Sequence, residues 1–155
     1  MDLAAAIESV DWSSFASPPW YSPLAVRSAL TGITLGRAES DVAWAAAALE
    51  DAVAHGHSGS LSPAAGPAVD VLLAVALRWR AEARAQALCS LSTFLSYEAA
   101  PPWATYVHDG VTVDVETDIR TRIQAGLPLL QSLAAEQQPW RSNRKLARQL
   151  IAEAS

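Results

Sequence analysis

The sequence predicts an all-α protein, and three observations carry that reading. Alanine dominates an apolar fraction of 51%, while charged residues make up only 17%. Alanine surrenders no side-chain entropy in a helix, so this balance favours helices. Apolar residues then recur at i, i+3, i+4 and i+7 in one segment after another. Finally, no segment reads convincingly as a central strand.

The elements follow in order. Residues 2–9 allow a short helix, followed by the irregular Ser/Pro stretch DWSSFASPPWYSP. A clear helix begins at Pro23 with Ser22 as N-cap, because proline has no N–H to lose in a first turn. Val26, Ala29, Leu30 and Ile33 share its apolar face, and Gly36 closes it. Ser40 is expected to cap the next helix, with Asp41 in its first turn. Its stripe is Val42, Ala45, Ala46, Leu49 and Val53, and it stops at the Gly/Ser loop HGHSGSLSP.

A third clear helix is expected over roughly Pro67 to Leu77. Apolar residues fall on more than one side of it, which predicts burial all round. RWRAEAR holds either a turn or a continuation, and a helix follows over about Ala81 to Tyr97, burying Leu88, Leu91 and Leu95. In PPWATYVHDGVTVDVETD, Asp109-Gly110 is a hairpin-turn signal. The reading favours a long loop there, leading into a helix near Asp114 with Val115, Ile119 and Ile123 inward. Gly126 and Pro128 interrupt the pattern before Leu129, Leu130 and Leu133. A last helix is expected from Pro139-Trp140, with Trp140, Ala147, Leu150 and Ile151 inward.

Length and charge bound the rest. The 155 residues correspond to one domain on the scale of about 100–200 residues each. A chain this long buries about two-thirds of its unfolded surface without a staple. Cys89 is the only cysteine, which excludes an intramolecular disulfide and multi-cysteine zinc spacings. The acidic start MDLAAAIESVDW lacks a basic n-region, and Val69 to Leu77 is too short to span a bilayer. A soluble, cytoplasmic protein that does not engage membranes is the expectation.

The net charge of −5 is unevenly spread. Residues 1–75 hold eight acids against Arg27 and Arg37, whereas 119–155 hold six bases against Glu136 and Glu153. That balance disfavours nucleic acid as a partner of the N-terminal half.

Prolines that open apolar stretches stand at 23, 63, 101 and 139, at intervals of 40, 38 and 38 residues. Pro-Trp pairs recur at 19–20, 102–103 and 139–140. The spacing lies near the ~40–47 residue period of HEAT and armadillo repeats. Within AALEDAVAHGHSGSLSPAAGPAVDVLLAVAL and ARAQALCSLSTFL, a helix ends in a His-containing turn. A small-Pro-Ala stretch then leads to a Pro-Ala-Val-x-x-Leu-Leu helix with an Arg-Ala-x-x-Leu helix behind it. The C-terminal run carries Arg144, Ala147 and Leu150 in Arg-x-x-Ala-x-x-Leu form.

This block resembles bacterial HEAT-like (armadillo-type) helical-repeat proteins over about residues 23–155, with Asp70 where the pattern often has Pro. The resemblance implies a HEAT-like α-solenoid of stacked antiparallel helix pairs, about six or seven helices in one domain over 1–155. Residues 1–21 would form an N-terminal cap segment and 22–155 the helix pairs. Proteins of this kind bind other proteins, and small bacterial examples include immunity proteins of toxin–immunity systems. No catalytic residues, cofactor or metal come with the resemblance.

Several constellations of polar residues have plainer roles than chemistry. His55 and His57 supply two nitrogens but no third ligand nearby, so a hydrogen-bonded helix end is the better account. His108-Asp109 with Ser58 or Ser60 lacks the strand–turn–helix setting of a hydrolase nucleophile. Cys89 lies among leucines, where a buried inert thiol is expected. Asp114, Glu116 and Asp118 fail the EF-hand spacing and suit a helix's first turn. Arg141, Arg144, Lys145 and Arg148 share a face that reads as solvated. Most of the six tryptophans are expected in packing, whereas Trp20 with Tyr21 and Trp103 with Tyr106, in proline-rich loops, are read as exposed anchors.

The resulting expectation is a non-enzymatic protein-binding module that neutralises a basic toxin domain. A generic scaffold is the alternative, and a nucleic-acid-binding protein is less favoured. The candidate partner-binding residues are Trp20, Tyr21, Glu50, Asp51, Trp103, Tyr106, Asp109, Asp114 and Glu116.

Overall fold

The computed structural model describes residues 2–15, 17–136 and 141–155. Helices dominate it. Helix α1 (Leu3–Glu8) is capped by Asp2, whose carboxylate accepts the Ala4 N–H at 3.2 Å. Helix α2 (Pro23–Leu35) starts as expected, with Ser22 accepting the Ala25 N–H and Val26, Ala29, Leu30 and Ile33 buried. Helix α3 (Glu39–Val53) buries the expected stripe of Val42, Ala45, Ala46, Leu49 and Val53. Its cap is Ala38 rather than Ser40, which lies inside the first turn. Asp41 explains the shift, since its carboxylate reaches back to accept the Ala38 N–H at 3.3 Å.

The Gly/Ser loop is a small antiparallel turn of β1 (Ala54–His55) and β2 (Ser60–Leu61). Helix α4 (Ala65–Arg78) is buried on all sides from Ala65 to Ala76, Asp70 excepted. A turn at Trp79 and Arg80 separates it from α5 (Ala81–Ser96). RWRAEAR therefore contains a turn, and Ala81 opens α5 at a φ of 50°.

The loop expected before Asp114 is instead an antiparallel ribbon of β3 (Thr105–His108) and β4 (Val111–Asp114). Asp109 and Gly110 turn it with φ of 49° and 78°. Two consecutive positive φ values match the twist of the flanking strands, which is why Asp-Gly is favoured there. Pro101 consequently precedes a ribbon and not a helix, so the regularly spaced prolines do not open equivalent elements.

Helix α6 (Val115–Ala125) follows directly, capped by Asp114 and burying Val115, Ile119 and Ile123. Gly126 separates it from α7 (Leu127–Ala135), which buries Leu130 and Leu133. Helix α8 (Arg141–Ala154) buries Ala147, Leu150 and Ala154. The expected helix start at Pro139 and the inward Trp140 lie outside the described residues. The described residues hold eight helices, more than expected because α1 is formed and Gly126 splits α6 from α7.

Consecutive helices α2 and α3, α4 and α5, and α7 and α8 pack on one another. Across these pairs α3 packs on α5, α5 on α8, α4 on α6, and α1 on α4. One contiguous apolar cluster runs from Leu3 in α1 to Ala154 in α8. No helix among the described residues is long and apolar enough to cross a membrane.

Close approach of α2 and α3 depends on Gly32. A Cβ there would lie 2.9 Å from the Ala45 Cβ, inside van der Waals contact.

Candidate partner-binding surface

The residues singled out from sequence fall on several elements and do not form one face. Trp20 is half-buried, its ring 5.5 Å from His55 at an interplanar angle of 34°. Tyr21 is also half-buried and donates its hydroxyl to the Trp12 carbonyl at 2.6 Å. Burial, with Asp11 adding to it, pushes this phenol up to about 12. Trp103 is half-buried in the turn before the ribbon.

Tyr106 is not an exposed anchor. It is buried, meets Phe15 edge-on at 5.5 Å, and donates its hydroxyl to Asp118 at 2.8 Å. Burial and then the Asp118 bond push it up to about 12.

Among the acids, Glu50 is half-buried and accepts a hydrogen bond from the Ser90 hydroxyl of α5. One of its carboxylate oxygens is thus engaged inside the fold. Glu116 accepts the Ala99 N–H at 2.9 Å. Asp114 accepts the Thr117 N–H at 2.8 Å, and that bond holds its carboxyl below its usual range. Asp109 is exposed at the ribbon tip, and Asp51 is exposed on α3.

The other constellations take plain roles. His55 Nδ1 lies 2.8 Å from the Ser58 hydroxyl, closing the turn after α3. His108 and Asp109 are both exposed and 3.7 Å apart on the ribbon. No group of three or more metal-type side chains occurs among the described residues. Cys89 differs from expectation: it is exposed, on the side of α5 turned away from Leu88 and Leu91. Burial of its surroundings and the Glu50 charge push the thiol up, which favours the unreactive protonated form.

Arg122 organises a polar cluster between α4, α6 and the ribbon. Its Nε donates to both Asp118 oxygens at 2.9 Å, and its guanidinium pairs with Asp70 across to α4. Burial pushes the Asp70 carboxyl up, and the Arg122 charge offsets this only in part. For Arg122, burial works against the charge, but Asp118 and Asp70 outweigh it and raise its pKa. The cluster borders a cleft of about 310 Å³ lined also by Asp11, Phe15 and His108. Each of its carboxylates is occupied by Arg122, which suits a structural tie between elements.

A different surface stands out by exposure. Trp44 is 80% exposed, and Leu24 and Leu35 on α2 are 76% and 71% exposed. On a helical wheel Trp44 lies about 200° from Val42, on the outward arc of α3. Asp41, Ala48 and Asp51 share that arc and are all exposed. Helix α3 carries four acids and no base. Beside Trp44, a shallow groove of about 520 Å³ runs between α2 and α3, walled by Ala25, Ser28, Asp41 and Ala48. Of these three apolar side chains only Trp44 lines the groove, and an exposed aromatic beside charges has the character of an interface anchor. The wheel angle of Trp44 was readable from sequence; the assumption that tryptophans pack inside concealed it.

Exposed bases are found on α8, where Lys145 and Arg148 face solvent and Arg144 is half-buried. Helix α5 lies between α3 and α8, packing on both. No family model matches this chain, and neither the curated proteins nor the solved structures hold a match to it.

Proposed function

We propose that this protein is a non-catalytic protein-binding module whose partner is a basic protein. The observation that carries this reading is the outer arc of α3, where Trp44 is exposed on the same face as exposed Asp41 and Asp51. An aromatic anchor at the centre of an interface supplies much of its binding energy. Carboxylates around it steer a basic partner and speed its association.

In its specific form the reading is an immunity protein that masks a basic toxin domain, built as a HEAT-like stack of helix pairs. Pairwise packing of successive helices supports that architecture. Exposed Asp2, Glu8, Asp11, Asp41 and Asp51 against Arg27 and Arg37 support the choice of a basic partner. A scaffold joining two proteins is the alternative, and would show two separable binding surfaces.

Affinity capture of the tagged protein from its own host, with mass spectrometry of the bound fraction, tests the reading. One dominant basic protein at near-equal stoichiometry is expected. Recovery of nucleic acid released steeply by salt would replace it with a role for Lys145 and Arg148. Several weak partners would favour the scaffold.

A further inference from the structure

We propose that the basic partner seats an α-helix in the groove between α2 and α3, with two cationic side chains meeting Asp41 and Asp51. This rests on the protein-binding reading and adds the element, the groove and the charge spacing.

The groove decides the kind of element. Its walls at Ala25, Ser28 and Ala48 are small, and small side chains let a helix axis approach to about 8–10 Å. An added β-strand is excluded on hydrogen-bonding grounds. Strand addition needs a row of free N–H and C=O groups, and mid-helix groups of α2 and α3 are spent within their own helices.

Charge spacing decides what the helix carries. Asp41 and Asp51 stand ten residues apart on one arc of α3, which is about 15 Å of axial rise. A partner helix lying alongside meets both only with Lys or Arg about three turns apart, at i and i+11. Between them its face must be small or aliphatic where it crosses Trp44. Asp41 Oδ2 accepts the Ala38 N–H, and its other oxygen remains for the partner.

Helix α8 of a second copy of this chain fits poorly. Arg144, Lys145 and Arg148 of α8 span four residues, about 6 Å of helix. Such a cluster reaches one of the two carboxylates and leaves the other unmatched.

The test uses the protein captured from the host and four variants of the full chain. Trp44→Ala is expected to weaken the partner's binding roughly 30-fold or more. Asp51→Lys is expected to weaken it about tenfold, mostly by slowing association. Ala48→Trp fills the groove and is expected to abolish binding, whereas Thr112→Lys, at an exposed position of the ribbon, leaves affinity unchanged. Circular dichroism and melting temperature, unchanged in all four, separate these effects from misfolding.

A photo-crosslinking residue at position 48 then identifies the seated segment. A helix with Lys or Arg at i and i+11 supports the proposal. A crosslink to a loop, a strand or α8 of a second copy overturns it, as does full affinity in Trp44→Ala and Ala48→Trp. If no protein is captured by wild type, the protein-binding reading itself fails, a result distinct from failure of the groove.

Discussion

Glu39, the first residue of α3, caps the helix that contains Ala83. Its two carboxylate oxygens accept the Arg80 N–H at 3.1 Å and the Ala83 N–H at 3.3 Å, at the start of α5. Helix α5 has no capping side chain of its own, so a residue more than forty positions upstream supplies it. A negative charge there also complements the helix macrodipole. Glu39→Ala should therefore lower stability by about 1 kcal/mol. Urea unfolding measures it, and an unchanged midpoint would show the cap to be idle.

The Arg122 cluster predicts a pH-dependent defect. Arg122→Met leaves Asp70 and Asp118 partly buried without their cation, a loss of about 2–3 kcal/mol near neutral pH. Asp70 has a raised pKa in the folded protein relative to the 3.8 of a free carboxyl. Protonation thus favours the fold, and its contribution, full below the unfolded value, is lost as pH rises through the folded one. The variant's deficit should shrink as pH falls from about 7 towards about 3. A deficit independent of pH would mean that packing, not charge, is at stake.

Gly66 sets the space in which that cluster sits. A Cβ at this position would lie 2.1 Å from Asp118 Oδ2. Gly66→Ala must push the carboxylate off Arg122 and Tyr106, at a cost of about 1–3 kcal/mol. Wild-type stability in this variant would show that α4 shifts freely against α6.

Alkaline stability should depend on two phenols. Tyr21 and Tyr106 are each pushed up to about 12 from an ordinary 10. Their contribution is full below the unfolded value and is lost as pH rises through the folded one. Tyr21→Phe and Tyr106→Phe should each flatten the alkaline fall and remove a late step from the phenolate absorbance titration.

Two tryptophans should separate cleanly. Trp12 is buried and donates its indole N–H to the Ile7 carbonyl at 3.2 Å. Trp12→Ala should cost about 3–5 kcal/mol, while Trp44→Ala should change stability by less than about 0.5 kcal/mol. Comparable losses in urea unfolding would place Trp44 in the core and remove it as an anchor.

The helices were legible where their evidence is local. Val26 to Ile33, Val42 to Val53 and Val115 to Ile123 show their buried faces by periodicity alone. The ribbon at 105–114 was less so, because Tyr106 is the only buried residue of its two strands, and a single inward residue makes no alternation. Contacts between distant segments left no trace to read. Glu39 reaches Ala83 across 44 residues and Arg122 reaches Asp70 across 52, and no spacing rule joins such pairs. Of the acids proposed for the partner, Asp51 and Asp109 are exposed on the surface. Glu50, Asp114 and Glu116 are engaged in the fold's own hydrogen bonds, because short-range composition records charge but not its internal use.

The contact of Gly32 with Ala45 has a kinetic meaning. With no side chain at 32 to fill the seam, two helices abut nearly backbone to backbone, and neither can slide without a clash. The backbone beneath Trp44 is thus packed against its neighbouring helix before any partner arrives. Little ordering entropy is then left to lose on contact, and capture should proceed at the pace of encounter, without a slow rearrangement behind it.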